Sequence, residues 1–321
     1  MEEGVRSEKT IVRTIISLYA IALLIGGLRG PLFANAEDAY TLEPFYKEIR
    51  LKDVGQSESF MVSIVNHTEQ DTTFRVVLAD FGTLDESGGT VLLGGTDEFS
   101  KRYGLASWMR SDRDLFTVPA GEREDVPITV ENRESLPPGG RYGAVRFEVV
   151  SDGVDSGESR VSIRSSFAAL VFAVKEGGEV REMTYSSMET VSSDAYGLPE
   201  KVSVRFRNDG NTHLVPRGTV SVIDPIGRVV REGTINPESG RILPESFRIF
   251  PTRLRPVGRA ILPGPYTVRV SYRYDGKDDF TAVERTLSPW KIITFWGIGI
   301  GLSLAVLLRV IAARFGRKSR K

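Results

Sequence analysis

The chain has no cysteine and only two histidines, His67 and His213, in 321 residues. Without cysteine there can be no disulfide staple, no thiolate nucleophile and no thiolate metal site. Stability must come from cores that stand alone, which modules of more than about 100 residues can build. The local motifs that place a catalytic group, H-E-x-x-H and G-x-S-x-G, are missing as well. Each histidine follows a strand-like run in a polar turn, where a solvated ring is expected. Two loose acidic sets, Asp275 with Asp278 and Asp279, and Asp112 with Asp114 and Asp125, lack the spacing of a calcium loop. Asn66-His67-Thr68 matches a glycosylation sequon, although a turn position explains the same residues. No catalytic residue, metal or cofactor is expected.

A second absence is of long apolar runs, which occur only near the two ends. Near the N-terminus, Arg6, Lys9 and Arg13 precede the run IISLYAIALLIGGL (15–28), followed by Ala34-Asn35-Ala36. A charged start, a short apolar run and a small-x-small site make a secretory signal over residues 1–36. Near the other end, IITFWGIGIGLSLAVLL (292–308) holds no charge, and tryptophans lie at its start. This predicts a membrane helix over 290–313. Arg314, Arg317, Lys318, Arg320 and Lys321 then form a basic tail, 314–321. Basic flanks stay cytoplasmic, so both ends predict a single-pass, type I cell-membrane protein with residues 37–289 outside. Gly297, Gly301 and Ala305 lie four apart, a small-residue face suited to helix packing.

Formal net charge is zero, but charge is unevenly placed. The last 33 residues hold seven bases and no acid, whereas residues 37–176 are net −10 and residues 177–288 net +2. An acidic exterior repels phosphate backbones and excludes nucleic acid as a partner.

Between 37 and 288 no 3.6-residue apolar stripe appears; the periodicity is two. Phe60, Val62 and Ile64 recur at every second position, and Val145, Phe147 and Val149, and Tyr266, Val268, Val270, Tyr272 and Tyr274 alternate with polar residues. Val126, Ile128 and Val130 alternate across Pro127, which predicts an edge strand. Glycine- and proline-bearing turns separate the runs. A repeat is visible. Strands at 59–66 and 201–208 both end in asparagine. Pro138-Gly139-Gly140-Arg141-Tyr142 and Pro263-Gly264-Pro265-Tyr266 both open a late strand, whose tyrosine hydroxyl can brace the corner. The expectation is an all-β chain: two tandem Ig-like β-sandwiches, 40–176 and 177–288, then one transmembrane helix.

Segment 82–114 interrupts the first module. It is rich in glycine, and a connection that long is often functional. Tyr103 and Trp108 are its candidate partner-binding aromatics. Arg241, Arg248, Arg253, Arg255 and Arg259 form a basic cluster that can face an anionic surface or pair with the acidic first module.

The order of parts resembles the bacterial WxL-interacting proteins of the cell surface. In the first module the resemblance lies in 55–66, 108–121 and 136–147 (LPPGGRYGAVRF). In the second it lies in Asn208-Asp209-Gly210-Asn211-Thr212-His213, in GTVSVIDPIG (218–227), and in 243–266. That resemblance implies an envelope adhesion or assembly role, with a first domain associated with peptidoglycan and a second with partner proteins or host surfaces. The resulting reading is a non-enzymatic, membrane-anchored surface protein that engages cell-wall polymer or another envelope protein. A chaperone-like factor working by β-strand complementation on surface subunits is the competing reading.

Overall fold

In the computed structural model, residues 39–150 and 166–318 are described. The segment 1–36, where a signal sequence is expected, lies outside them, as does the end of the basic tail. The chain is mostly β-strand and closes with one apolar helix.

The first half holds two facing sheets. One has the order β1 (Tyr40–Glu43), β3 (Ser57–Asn66), β8 (Arg123–Glu131), β6 (Met109–Ser111). The other runs β2 (Tyr46–Leu51), β10 (Ser166–Lys175), β9 (Gly139–Val150), β4 (Thr72–Thr83), β5 (Thr90–Leu93), with β7 (Leu115–Val118) on the near end of β4. The chain crosses between sheets at once. β1 is antiparallel to β3, and after Pro44 the next strand, β2, lies parallel to β10. Side chains alternate into the shared core: Phe60, Val62 and Ile64 from β3; Val126, Ile128 and Val130 from β8; Val145 and Phe147 from β9. Pro127 sits on a strand that β3 pairs along its whole length, while β6 covers only Ile128–Val130. The imide nitrogen is tolerated because the second neighbour ends just before it.

The second half repeats the plan with a three-stranded sheet, β11 (Met183–Ser193), β12 (Pro199–Asn208), β15 (Phe247–Arg253). It faces a five-stranded one, β16 (Arg255–Pro256), β14 (Val229–Ile235), β13 (Arg217–Ile223), β17 (Tyr266–Arg273), β18 (Thr281–Leu287). Strict alternation along β17 buries Tyr266, Val268, Val270 and Tyr272 against Val204 and Phe206 of β12.

The repeated asparagines make the same corner twice. Asn66 is fully buried; its amide donates to Gln70 O (2.8 Å) and Val118 O (3.1 Å), and its Oδ1 accepts from the backbone N–H of Thr68 (3.0 Å). That burial removes it as a glycan acceptor. Asn208, equally buried, donates to Thr212 O (2.7 Å) and Ile242 O (2.9 Å) and accepts from Gly210 N (2.9 Å). Each side chain satisfies backbone groups that the ending strand leaves unpaired. The tyrosine corners differ. Tyr266 Oη donates to Leu262 O at 3.0 Å, whereas the hydroxyl of Tyr142 is buried with no hydrogen-bond partner in its own corner.

The 82–114 segment is structured throughout. It contains β5, a one-and-a-half-turn helix α1 (Glu98–Tyr103) and a 3-10 turn at Ala106–Trp108. Asp97 caps α1 by accepting from the N–H of Phe99 (2.8 Å) and Ser100 (3.2 Å), with Glu98 in the first turn and Lys101 and Arg102 in the last. Six residues are too few for an apolar stripe to register.

The closing helix, α2 (Trp290–Lys318), contains 22 residues, Lys291–Ala312, long and apolar enough to cross a membrane. Phe295, Ile298 and Leu302 are exposed on it. Its first turn is not free: Ile292 is buried in the core of the second sandwich, and Trp296 Nε1 donates to Ile261 O at 2.7 Å.

Candidate functional site

The outer face of the six-stranded sheet decides where the two halves meet. Phe81 of β4, Tyr142 and Ala144 of β9, and Phe172 of β10 form a third apolar cluster there, completed by Tyr103 of α1 and Leu243 of the second half. The β10 run FAALVFAV is therefore apolar without alternation, because both faces of the strand are covered.

Around this contact lies a ring of ion pairs between modules of opposite charge. Glu86 takes Arg205 in a two-pronged pair (2.6 and 2.7 Å), and Arg205 also stacks 3.7 Å over the Phe247 ring. The backbone N–H of Ile249 donates to Glu86 O at 2.8 Å. Glu245 runs the other way, accepting from Arg102 (2.6 Å) and from the Tyr103 hydroxyl (3.0 Å). Glu48 on β2 receives Arg241 at 2.8 Å and lies 3.4 Å from His213 Nε2. Those partners hold the Glu48 carboxyl down at about 2, the His213 contact first, against the opposing effect of desolvation. Burial pushes the Tyr142 hydroxyl well up, so it stays neutral.

Several expectations are corrected here. Tyr103 is 9 % exposed with its hydroxyl committed to Glu245, so it joins the halves and offers nothing to a partner. Trp108 packs half-buried against the first core. His213 is no solvated turn residue. It is 4 % exposed, its ring 5.3 Å from that of Phe172 and 5.9 Å from that of Tyr142. The five arginines are not one surface. Arg241 stacks on Tyr46 (4.6 Å) and Phe172 (4.7 Å), and Arg248 donates to Arg241 O (2.7 Å), so both belong to the joint. Arg253, Arg255 and Arg259 lie exposed at the opposite end of the second sandwich. Asp275 is tied to Arg217 (2.7 Å), and no group of three acidic or histidine side chains able to hold a metal occurs among the described residues. Gly297, Gly301 and Ala305 are exposed on α2, and nothing approaches within 4 Å of a Cβ built at either glycine.

The joint is not closed on all sides. Beside it runs a cleft of about 900 Å³. Tyr46, Glu48 and Arg50 alternate onto it from β2, while Ile49 and Leu51 turn into the core. Phe45 and Tyr46 form an exposed edge-to-face pair at its mouth, 4.9 Å between ring centres. Arg181 and Arg248 line the facing wall. Neither Arg50 nor Arg181 takes part in an ion pair among the described residues. Sequence reading missed this site. The one local signal was the aromatic pair Phe45-Tyr46 following a proline and leading an alternating strand.

No protein-family model matches this chain, and no curated protein does. Solved structures of fimbrial chaperones are similar. The class 5 fimbriae chaperone CfaA is 14 % identical over 77 % of this chain and 98 % of its own, with a TM-score of 0.38. A chaperone–tip adhesin complex of CFA/I fimbriae gives 13 %, 78 % and 99 %, with a TM-score of 0.39. The CsuC–CsuE chaperone–tip adhesion subunit complex of Csu pili from Acinetobacter baumannii gives 9 %, 76 % and 97 %, with a TM-score of 0.36. Likeness at this distance carries no functional argument; function has to be read from this chain's own residues.

Proposed function

We propose that the protein is a non-enzymatic, membrane-anchored envelope protein whose two Ig-like sandwiches grip an extended segment of another envelope protein or a wall polymer in the cleft between them. The observation that carries the reading is the combination at the cleft mouth: an exposed aromatic pair, Phe45 and Tyr46, with Arg50 and Arg181 free of ion pairs. Aromatic faces and unengaged guanidinium groups together suit an extended ligand bearing carboxylates. The exposed apolar helix supports anchoring, with the sandwiches on one side of the bilayer.

A specific feature favours the chaperone-like reading as the second. β2 pairs only Leu170–Lys175 of β10, so Ser166–Ala169 have no strand on that edge among the described residues. An open edge can accept or donate a strand to a partner. A photo-crosslinking residue in place of Phe45, installed in the native cell, tests both. Capture of a native surface protein or wall fragment supports the first reading. Transient capture of unassembled subunits, matched by a probe at Phe167, supports the second. Adducts no more frequent than those from Ile226, at the opposite end of the second sandwich, would overturn the cleft.

A further inference from the structure

The end of the second sandwich beside α2 gathers the loops 194–198, 224–228 and 254–265. They touch one another and the helix start: a Cβ on Gly264 would lie 3.1 Å from Pro225, and one on Gly197 3.9 Å from Pro289. On these loops Tyr196, Ile226, Val257 and Ile261 are 57–66 % exposed. Arg253, Arg255 and Arg259 stand among them, exposed, and none is in an ion pair among the described residues. Arg228 and Arg231, by contrast, are neutralised by Asp224 and Asp194.

A trough of about 400 Å³ runs between these loops and the helix. Leu198, Val230 and Ala260 line its sandwich wall together with the paired Asp194 and Arg231; Ile292, Phe295 and Trp296 line the other. Arg259 stands at its rim. The depth of the trough follows from the helix. Twenty-two residues rise about 33 Å, close to the ~30 Å of bilayer hydrocarbon. The first turn of the apolar stretch therefore lies at the hydrocarbon boundary. Strand β18 ends at Leu287 and α2 begins at Trp290, so no stalk lifts the sandwich away.

We propose that this end of the second sandwich is a phospholipid-binding face. The trough takes an acyl chain of a lipid in the adjoining leaflet, and Arg259, in its lining, holds the phosphate. The match lies in the chemistry: largely apolar walls shared with a membrane helix, and an unpaired guanidinium group, that of Arg259, in the same lining. A soluble small ligand would not need a wall made of the span itself. The proposal rests on α2 lying in a bilayer and is independent of the cleft.

The test uses the full chain in phosphatidylcholine nanodiscs doped with phosphatidylglycerol that carries a diazirine in its acyl chain. Adducts are expected on peptides covering 194–198 and 257–261 as well as on α2. Ala260→Trp, which fills the trough, should cut the loop adducts at least about five-fold and leave those on α2 unchanged. Adducts confined to α2 overturn this proposal, whereas none on α2 overturns the span itself. Chain-to-chain crosslinks at 257–261 overturn it in favour of a second copy of the protein. Competition by inorganic phosphate alone, abolishing the loop adducts, reduces the face to an anion site and also overturns it. Because Ala260→Trp can disturb packing, Arg259→Gln supplies a second readout at an exposed position. It should reduce the preference for phosphatidylglycerol over phosphatidylcholine among lipids retained in native mass spectrometry by about five-fold. An unchanged preference removes the phosphate contact.

Discussion

The two sandwiches close the same corner with the same residue, yet use their larger sheets differently. In the second, β17 alternates without a fault and its outward residues Arg269, Ser271 and Arg273 face water or half-cover polar neighbours. In the first, β10 is apolar on both faces and β9 is buried on both over Gly139–Val145, because the second half docks on the outer one. Loss of alternation thus marks where a module is covered by its neighbour. The molecule pairs one self-sufficient sandwich with one whose outer face is completed by its partner.

The sharpest way to break that contrast is Phe206→Ala, which removes a fully buried ring from the second core and should cost about 3–5 kcal/mol. Hydrogen exchange should show the second sandwich opening first. Equal loss of protection in the first would mean that the halves unfold as one unit. Next come the corners. Asn66→Ala and Asn208→Ala each strand buried carbonyls and should cost about 2–3 kcal/mol by denaturant unfolding, alike to within about 1 kcal/mol. A large inequality would show that the two corners only look alike.

Glu48 sharpens the comparison at the joint. Its folded value, about 2, lies below the ordinary 4.5, so its contribution is fully present above about 4.5 and is lost as pH falls towards about 2. Small-angle scattering should report a fixed interdomain arrangement above that window and a looser one within it. Glu48→Gln should flatten the pH response; a wild-type curve retained by the variant would assign the effect elsewhere. The smallest effect is expected from Arg102→Ala, which removes a half-exposed pair with Glu245 and should change stability by less than about 1 kcal/mol.

Much of the fold was legible because burial imposes a period. Phe60, Val62 and Ile64, and the alternate residues from Tyr266 to Tyr272, read as strands and lie in strands with these side chains buried. The shared corner was visible as a strand ending in asparagine. The joint was not legible. Glu48 and His213 are 165 residues apart, and no local pattern announces that a polar turn will be covered by another module. The same blindness misread Tyr103 and Trp108, since a glycine-rich segment with a six-residue helix has too little periodicity to reveal that it is folded down. A capping aspartate, Asp97, followed by Glu98 and then Lys101 and Arg102, was the available hint. The arginine cluster was a cluster only in sequence, because the strand between Arg248 and Arg253 carries its two ends to opposite poles of the sandwich.

Ile292 in the second core and the indole of Trp296 tied to Ile261 fasten the start of the helix to the sandwich. The eight residues of β17 then act as a spacer, and if α2 spans a bilayer as proposed they set the mouth of the cleft roughly 25 Å from the helix start. Under the proposed reading, a ligand held in the cleft meets the protein at that height, and a pull on it passes through the sandwich into the helix rather than being absorbed by a tether.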